Sequence, residues 1–230
     1  MDEIKFSVLL AVYNGEKYLK KAIESVLNQT YSNLELLIGL NGCVDNSLEV
    51  AKSIEDSRIK IFDYGMDKGK SKTINKLLKE STGNWIAFQD HDDIWVNTKL
   101  SDQLELTKYY NIIGTQLTYI DENDNILRNM TLAESPDDIY YLSVMMGDNQ
   151  IANTSAIVKR TCFEEVGGLD ESLVGIEDYD LWLKMMTQYN YKAINIPKFD
   201  LLHRIHKESN FNTNKYDLKG LVKKYNPNFN

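Results

Sequence analysis

Hydrophobic positions along the first hundred residues alternate between two spacings. Ser7 to Val12 is a nearly unbroken apolar run, as expected of a strand covered on both faces. Asn14 and Gly15 end it, and from Glu16 to Gln29 the apolar residues Leu19, Ala22, Ile23, Val26 and Leu27 recur at helical spacing, with Lys20, Lys21 and Glu24 opposite. A second apolar run covers Leu34 to Leu40 and stops at Asn41-Gly42. Asp45 to Ile54 then reads as a helix with an Asp able to cap it. Ile59 to Phe62 predicts a third strand, Ser71 to Leu78 a helix, and Trp85 to Phe88 a fourth strand. Strand and helix alternating in this way imply right-handed crossovers and a mostly parallel sheet flanked by helices, an α/β fold of Rossmann-like type.

Beyond Trp95 the pattern is less regular. Lys99 to Tyr110 predicts a helix, Ile112 to Tyr119 a strand, Asp121 to Asn125 a turn, Pro136 to Asp138 a loop and Thr154 to Val158 a strand. After a break at Gly167-Gly168, Asp178 to Tyr189 predicts a helix with Leu181, Trp182, Met185, Met186 and Tyr189 along one side. The tail from Asn210 holds one short amphipathic stretch, Leu218, Leu221, Val222 and Tyr225, with Lys219, Lys223 and Lys224 nearby. Two readings of that stretch stay open: peripheral contact with an anionic membrane surface, or packing on the body.

The chain of 230 residues carries 26 Lys plus Arg against 34 Asp plus Glu, a formal charge of −8. That balance argues against broad nucleic-acid binding, which rewards clustered cations. Its 43% hydrophobic and 26% charged composition is that of a folded chain. Cys43 and Cys162 lack the spacing of a disulfide framework or a zinc site, and the first residues lack the layout of a signal peptide, so a cytoplasmic setting is expected.

In a parallel sheet ligands bind at the carboxyl ends of the strands. The loops predicted there read Tyr13-Asn14-Gly15, Asn41-Gly42-Cys43-Val44-Asp45, Asp67-Lys68-Gly69-Lys70 and Gln89-Asp90-His91-Asp92-Asp93. Three carboxylates within four residues repel one another unless a cation or strong donors sit among them. Carboxylate oxygens suit Mg²⁺ or Mn²⁺, while an Asp-rich turn capping the next helix is the plainer alternative. Asp178 at a helix start is either an N-terminal cap or an inward-facing general base, and the helix N-terminus is expected to lower its pKa. In Leu202-His203-Arg204-Ile205-His206, an extended chain would put Arg204 and His206 on one face, a donor pair suited to phosphate or to completing a metal site, with structural histidines as the plainer alternative. Lys68 and Lys70 are either surface lysines or contacts to a diphosphate. Core packing is the expectation for Trp95, Tyr140, Tyr141 and Trp182, with sugar stacking as the alternative.

Taken in order, Ser7–Asn14, Ala22–Tyr31, Asp90-His91-Asp92-Asp93 and the Glu177-Asp178 helix resemble the family 2 glycosyltransferases of the GT-A fold, over about residues 6–210. The resemblance implies a GT-A domain over 1–210, with a nucleotide-sugar half to about 93 and an acceptor and catalytic-base half from about 94, then a tail over 211–230. It implies inverting transfer of a sugar from a nucleotide diphosphate sugar, foremost a UDP-sugar, to a glycan or lipid-linked acceptor in bacterial surface polysaccharide synthesis, at the inner face of the membrane if the tail makes contact. By position, Ala11, Val12 and Tyr13 correspond to the base and ribose contacts. Asn41 stands where most members have a base-reading Asp, and Asp45 closes that loop. Asp90 and Asp92 fit the Asp-x-Asp motif, with Asp92 as ligand to Mn²⁺ or Mg²⁺ and Asp90 and His91 on the nucleotide sugar. Lys70 falls near the diphosphate, Asp178 fits the base, and Arg204 and His206 resemble the late Arg-x-His motif, His206 completing the metal site. A metal-dependent nucleotidyltransferase and a non-catalytic subunit of the same fold are the alternatives. The first would want a glycine-rich, basic triphosphate loop after Val12, where only Asn14-Gly15 stands.

Overall fold

The computed structural model describes residues 3–207 and 216–229, so Met1, Asp2 and the first part of the tail, 211–215, lie outside the described residues. Alternation along the central strand decides the layering. In β1 (Phe6–Val12) every residue is buried; Leu9 and Ala11 join one hydrophobic cluster, and Val8, Leu10 and Val12 join another on the opposite face. Helix α1 (Leu19–Leu27) turns Leu19, Ile23 and Val26 onto the second face. Helix α3 (Lys70–Glu80) turns Ile74, Leu77 and Leu78 onto the first, where α7 (Glu177–Gln188) adds Leu181, Trp182 and Met185. Truncating any of these fully buried Leu or Ile side chains to Ala would cost about 2–5 kcal/mol.

The first four strands, β1, β2 (Leu34–Leu40), β3 (Ile59–Asp63) and β4 (Trp85–Asp90), run parallel, with α2 (Ser47–Lys52) between β2 and β3. The full nine-stranded sheet runs β3-β2-β1-β4-β8-β6-β9-β5, with β7 also beside β6. Here β5 is Ile94–Trp95, β6 Ile112–Ile120, β7 Ile126–Met130, β8 Ile157–Lys159 and β9 Ala193–Arg204. β8 is antiparallel to β4 and β6, β5 is antiparallel to β9, and β9 runs parallel to β6. The result is one compact α/β domain with a mixed second half.

That half departs from the sequence-based expectations where turn chemistry outweighs hydrophobic pattern. The expected loop at Pro136–Asp138 is helix α5 (Pro136–Tyr140): Ser135 accepts a hydrogen bond from the Asp138 N–H and Pro136 occupies the first turn. The helix expected over Lys99–Tyr110 is α4 (Lys99–Leu104) followed by a tighter 3₁₀ turn over Glu105–Lys108. Asn153–Ser155 is a 3₁₀ turn, so the strand there starts only at Ile157. Strands β5, β7 and β9 and helix α6 (Arg160–Glu165) went unanticipated; β7 is exposed throughout and offers no alternating pattern to read.

The last helix, α8 (Leu218–Tyr225), packs on α7. Leu221 and Val222 are buried, Lys224 Nζ and Tyr225 OH donate to Asp180 Oδ1 at 2.8 and 2.7 Å, and Asn226 Nδ2 donates to Val144 O. Half of the apolar stretch that could have lain on a membrane is thus occupied by the body, while Leu218 stays exposed. No helix among the described residues is long and apolar enough to cross a membrane.

Candidate active site

The four loops meet along the carboxyl edge of β1 to β4, and the loop after β4 reaches both faces of the sheet. Asp90 is in register with Ala11 and turns toward α3. Its Oδ1 lies 2.7 Å from Lys70 Nζ, and its Oδ2 accepts from Thr154 Oγ1 at 3.1 Å. Lys70 opens α3 after Gly69, whose φ of +132° is a conformation that favours glycine. Burial works against the charge on Lys70, yet Asp90, Glu177 and Asp178 together hold its pKa above the ordinary lysine range.

Asp92 lies on the α1 side. Its Oδ2 stands 2.9 Å from His206 Nε2, and the His206 ring is tilted against Tyr18 at 5.4 Å between centroids. Burial alone would raise the Asp92 pKa; the His206 hydrogen bond and the charges of His91, His203 and His206 outweigh it, so Asp92 stays well below the usual carboxylate range. Asp93, fully buried, accepts from the Arg204 backbone N–H at 2.9 Å and meets His203 Nδ1 at 3.0 Å. Burial opposes protonation of His203, but Asp93 overrides it and pushes the imidazole up to about 9.

The Arg204 guanidinium, expected beside a diphosphate, is instead buried. Nε donates to Asp92 O at 2.9 Å and one terminal nitrogen to Asp121 O at 2.7 Å, while the other lies 2.6 Å from Asp124 Oδ1. With its carbon 4.4 Å from the Tyr18 ring centroid, it braces the acidic loop from behind. His91 packs on Gly15, where a Cβ would stand 2.7 Å from its Cδ2, so the first and fourth loops meet because residue 15 lacks a side chain.

Asp178, one residue into α7, corrects the expectation from the helix N-terminus. Burial and the neighbouring Glu177 charge raise its pKa to about 7, against the lowering effect of Lys70 and of the Tyr179 backbone N–H. Desolvation beside a like charge outweighs the dipole of the first turn.

At the end of β1, Ala11 and Val12 are buried strand residues and Tyr13 is exposed, with Lys68 Nζ 5.1 Å from its ring centroid. Asn41 is buried; its backbone N–H donates to Val12 O, and its Nδ2 donates to Thr73 Oγ1 at 3.1 Å. Asp45 closes its loop by accepting from the Glu16 N–H and from Ser47. Of the aromatic residues assigned to the core, Trp95 and Trp182 are buried there, but Tyr140 and Tyr141 are exposed.

Asp93, His203, Tyr18 and Thr154 are the parts of the site that sequence reasoning did not single out. Asp93 and His203 stood within quoted motifs, and their alternation with Asp92 and Arg204 was the available signal. Thr154 carried none. Among the described residues no three His, Cys, Asp or Glu side chains converge as a metal cage. The Asp92–His206 pair offers one oxygen and one nitrogen donor, which fits an ion that takes its remaining ligands from water and a diphosphate.

The chain is similar to known proteins. Residues 7–167 match the domain described as Glycosyl transferase family 2. Two Escherichia coli enzymes described as UDP-Glc:alpha-D-GlcNAc-diphosphoundecaprenol beta-1,3-glucosyltransferases are similar. WfaP is 31% identical over 96% of this chain and 84% of its own length, and WfgD is 32% identical over 94% and 83%. Among solved structures, Staphylococcus aureus TarS 1-349 with UDP-GlcNAc superposes with a TM-score of 0.79 at 16% identity, over 99% of this chain and 68% of that one. The Pyrobaculum calidifontis mannosyltransferase PcManGT with GDP-Man and Mn²⁺ gives 0.69 at 17%, over 90% and 59%. With a GT-A fold and relatives that match along nearly its whole length, this chain belongs to glycosyl transferase family 2.

Proposed function

We propose that the protein transfers a sugar, with inversion, from a UDP-sugar to a hydroxyl of a lipid-linked glycan acceptor in the synthesis of a bacterial polysaccharide. The observation that carries this reading is the pair of opposed carboxylates along one site: Asp92 held ionised beside His206, and Asp178 poised near neutrality beside Lys70 and Glu177. The similarity to WfaP and WfgD along the chain supports a UDP-glucose donor and a diphospholipid-linked acceptor sugar.

Asp178, as its carboxylate, takes the proton from the attacking acceptor hydroxyl, and a pKa of about 7 suits a base working at neutral pH. Asp92 and His206 would hold Mn²⁺ or Mg²⁺, which when bound would supply positive charge against the departing diphosphate. Tyr13 and the backbone of Ala11 and Val12 cover the base and ribose, with Asn41 behind them offering an amide where a carboxylate is usual. Asp90, His91 and Lys70 line the path from ribose to sugar. Arg204 acts through Asp92, by fixing the loop that carries it, rather than on the diphosphate directly. The acceptor enters from the second half of the domain, beyond residue 93.

The test is calorimetric titration of UDP, dTDP, GDP and CDP with Mn²⁺ and again with EDTA, followed by transfer from UDP-glucose to a lipid-diphosphate GlcNAc acceptor. Metal-dependent binding of UDP with turnover is the expected result. Binding of a nucleoside triphosphate with release of diphosphate would favour the nucleotidyltransferase alternative.

A further inference from the structure

Exposed apolar side chains gather where α5 ends. Tyr140, Tyr141, Met145 and Met146 are 42%, 55%, 48% and 56% exposed. The backbone explains the clustering. After α5 the chain makes one turn wider than an α-helix, closed by the Met146 N–H donating to Tyr141 O at 3.1 Å. That turn stacks Tyr141 on Met145 and Met146, while Ser143 and Val144 are buried. The last helix extends this ledge: Asn226 donates to Val144 O, and Phe229 packs on Gly147. On α8, Leu218, Lys219 and Lys223 are exposed, and neither of these two lysines makes an ion pair among the described residues. The ledge is also tied to the base, because Tyr179, next to Asp178, donates its hydroxyl to Ser143 O.

We propose that this ledge seats the protein on an anionic lipid surface, with the tyrosine rings and methionines at headgroup level and Lys219 and Lys223 against lipid phosphates. This rests on the lipid-linked acceptor reading above. The chemistry selects a bilayer as the occupant. Tyrosine has an apolar ring and a polar tip, which suits the boundary between headgroups and acyl chains, and methionine adapts its shape to a fluid surface. Two unpaired cations stand out on a chain of net charge −8, and an anionic leaflet attracts them. The exposed Asp137 and Asp138 lie at the opposite end of the ledge, in the first turn of α5, so the charge gradient turns α8 toward the lipid. An acceptor sugar stands off its bilayer only by the length of its diphosphate, so the base must work close to the membrane. One tyrosine side chain joins the ledge to the helix that carries Asp178. The contact thus centres on the segment after α5, and the tail contributes charge and Leu218.

The experiment sediments the protein with vesicles of phosphatidylcholine, alone and with phosphatidylglycerol, at low and high salt. It compares wild type with the triple variant Tyr141→Ser, Met145→Ser, Met146→Ser and the double variant Lys219→Gln, Lys223→Gln, with melting curves to confirm folding. Expected is binding to the phosphatidylglycerol vesicles that weakens about tenfold or more in either variant, with the salt dependence lost in the double variant. Transfer from UDP-glucose to a short-chain, water-soluble lipid-diphosphate GlcNAc should be unchanged in both. Transfer to the long-chain acceptor in vesicles should fall about tenfold. Wild type that stays in the supernatant, or variants that pellet as wild type does, would overturn the proposal. So would a dimer in lipid-free solution that the triple variant dissolves, which would give the ledge to a second copy. Pelleting as expected with transfer to neither acceptor would sink the acceptor reading and uphold the lipid seat.

Discussion

Asp92 and Asp178 are the same residue type in one site, held in opposite states. Both are partly buried, and burial pushes both carboxyls up. Around Asp92 the imidazoles of His206, His91 and His203 reverse that push; around Asp178 the Glu177 carboxylate adds to it and Lys70 only moderates it. The two neighbourhoods assign two kinds of work. A carboxylate kept ionised suits a cation and a diphosphate, and one near neutrality suits a proton.

The largest expected effect breaks the comparison on the Asp178 side. Asp178→Asn removes the base and keeps the shape, so kcat should fall on the order of 10³-fold while UDP binding by calorimetry stays within about twofold. A fall of less than about tenfold would assign Asp178 to capping. On the other side, Asp92→Asn or His206→Ala should weaken Mn²⁺-supported UDP binding by about 10- to 100-fold, with much less effect on any binding that persists in EDTA. If UDP binds the variants as before, the metal sits elsewhere or takes no part.

The pH dependence sharpens the contrast with a smaller effect. Asp178 must be ionised to accept a proton, so kcat/KM should rise with pH through about 7 and level off above it, with no inflection from Asp92 in the working range. Lys70 favours the ionised form of Asp178. Lys70→Met should therefore displace that limb to higher pH, by about one unit. A limb that stays fixed, or moves to lower pH, would show that Lys70 is not coupled to the base.

Which parts of this contrast could be read from the chain follows from what sets each feature. The parallel half was legible because β1, β2 and β4 are covered on both faces and read as apolar runs, and because their loops fall at the ends of those runs. Asp90, Asp92 and Asp178 stood out as acids at predicted element ends. The state of Asp178 was not legible: it depends first on burial, which only the packed fold decides, and on Lys70 arriving from α3, whereas the helix N-terminus visible in sequence argues the other way. The role of Arg204 was hidden similarly. Its partners Asp121 and Asp124 sit in the β6–β7 turn, eighty or more residues earlier. In the second half, Ser-Pro-Asp-Asp is compatible with both a loop and the Ser135 cap that α5 adopts, and β7 has no buried side to give it a pattern.

Asp180 supplies the control for the whole comparison. It lies two residues beyond Asp178 on the same helix, is nearly as withdrawn from solvent as any acid in the chain, and spends Oδ1 on Lys224 Nζ and Tyr225 OH of α8. If burial on α7 were enough to make a base, Asp180 would share the work. If the neighbours decide, Asp180 is a fastener for the C-terminal helix. Asp180→Asn should then lower stability by about 1–3 kcal/mol through the loss of charge-assisted hydrogen bonds, a fall of a few degrees in Tm for a domain of this size. Removing only the Tyr225 hydroxyl, as Phe, should cost about 1 kcal/mol. Neither change should move the acid limb of kcat/KM. A displaced limb in Asp180→Asn would mean that the charge on the far side of α7 is felt at the base, and that the contrast between Asp92 and Asp178 is drawn by the helix as a whole rather than by Glu177 and Lys70.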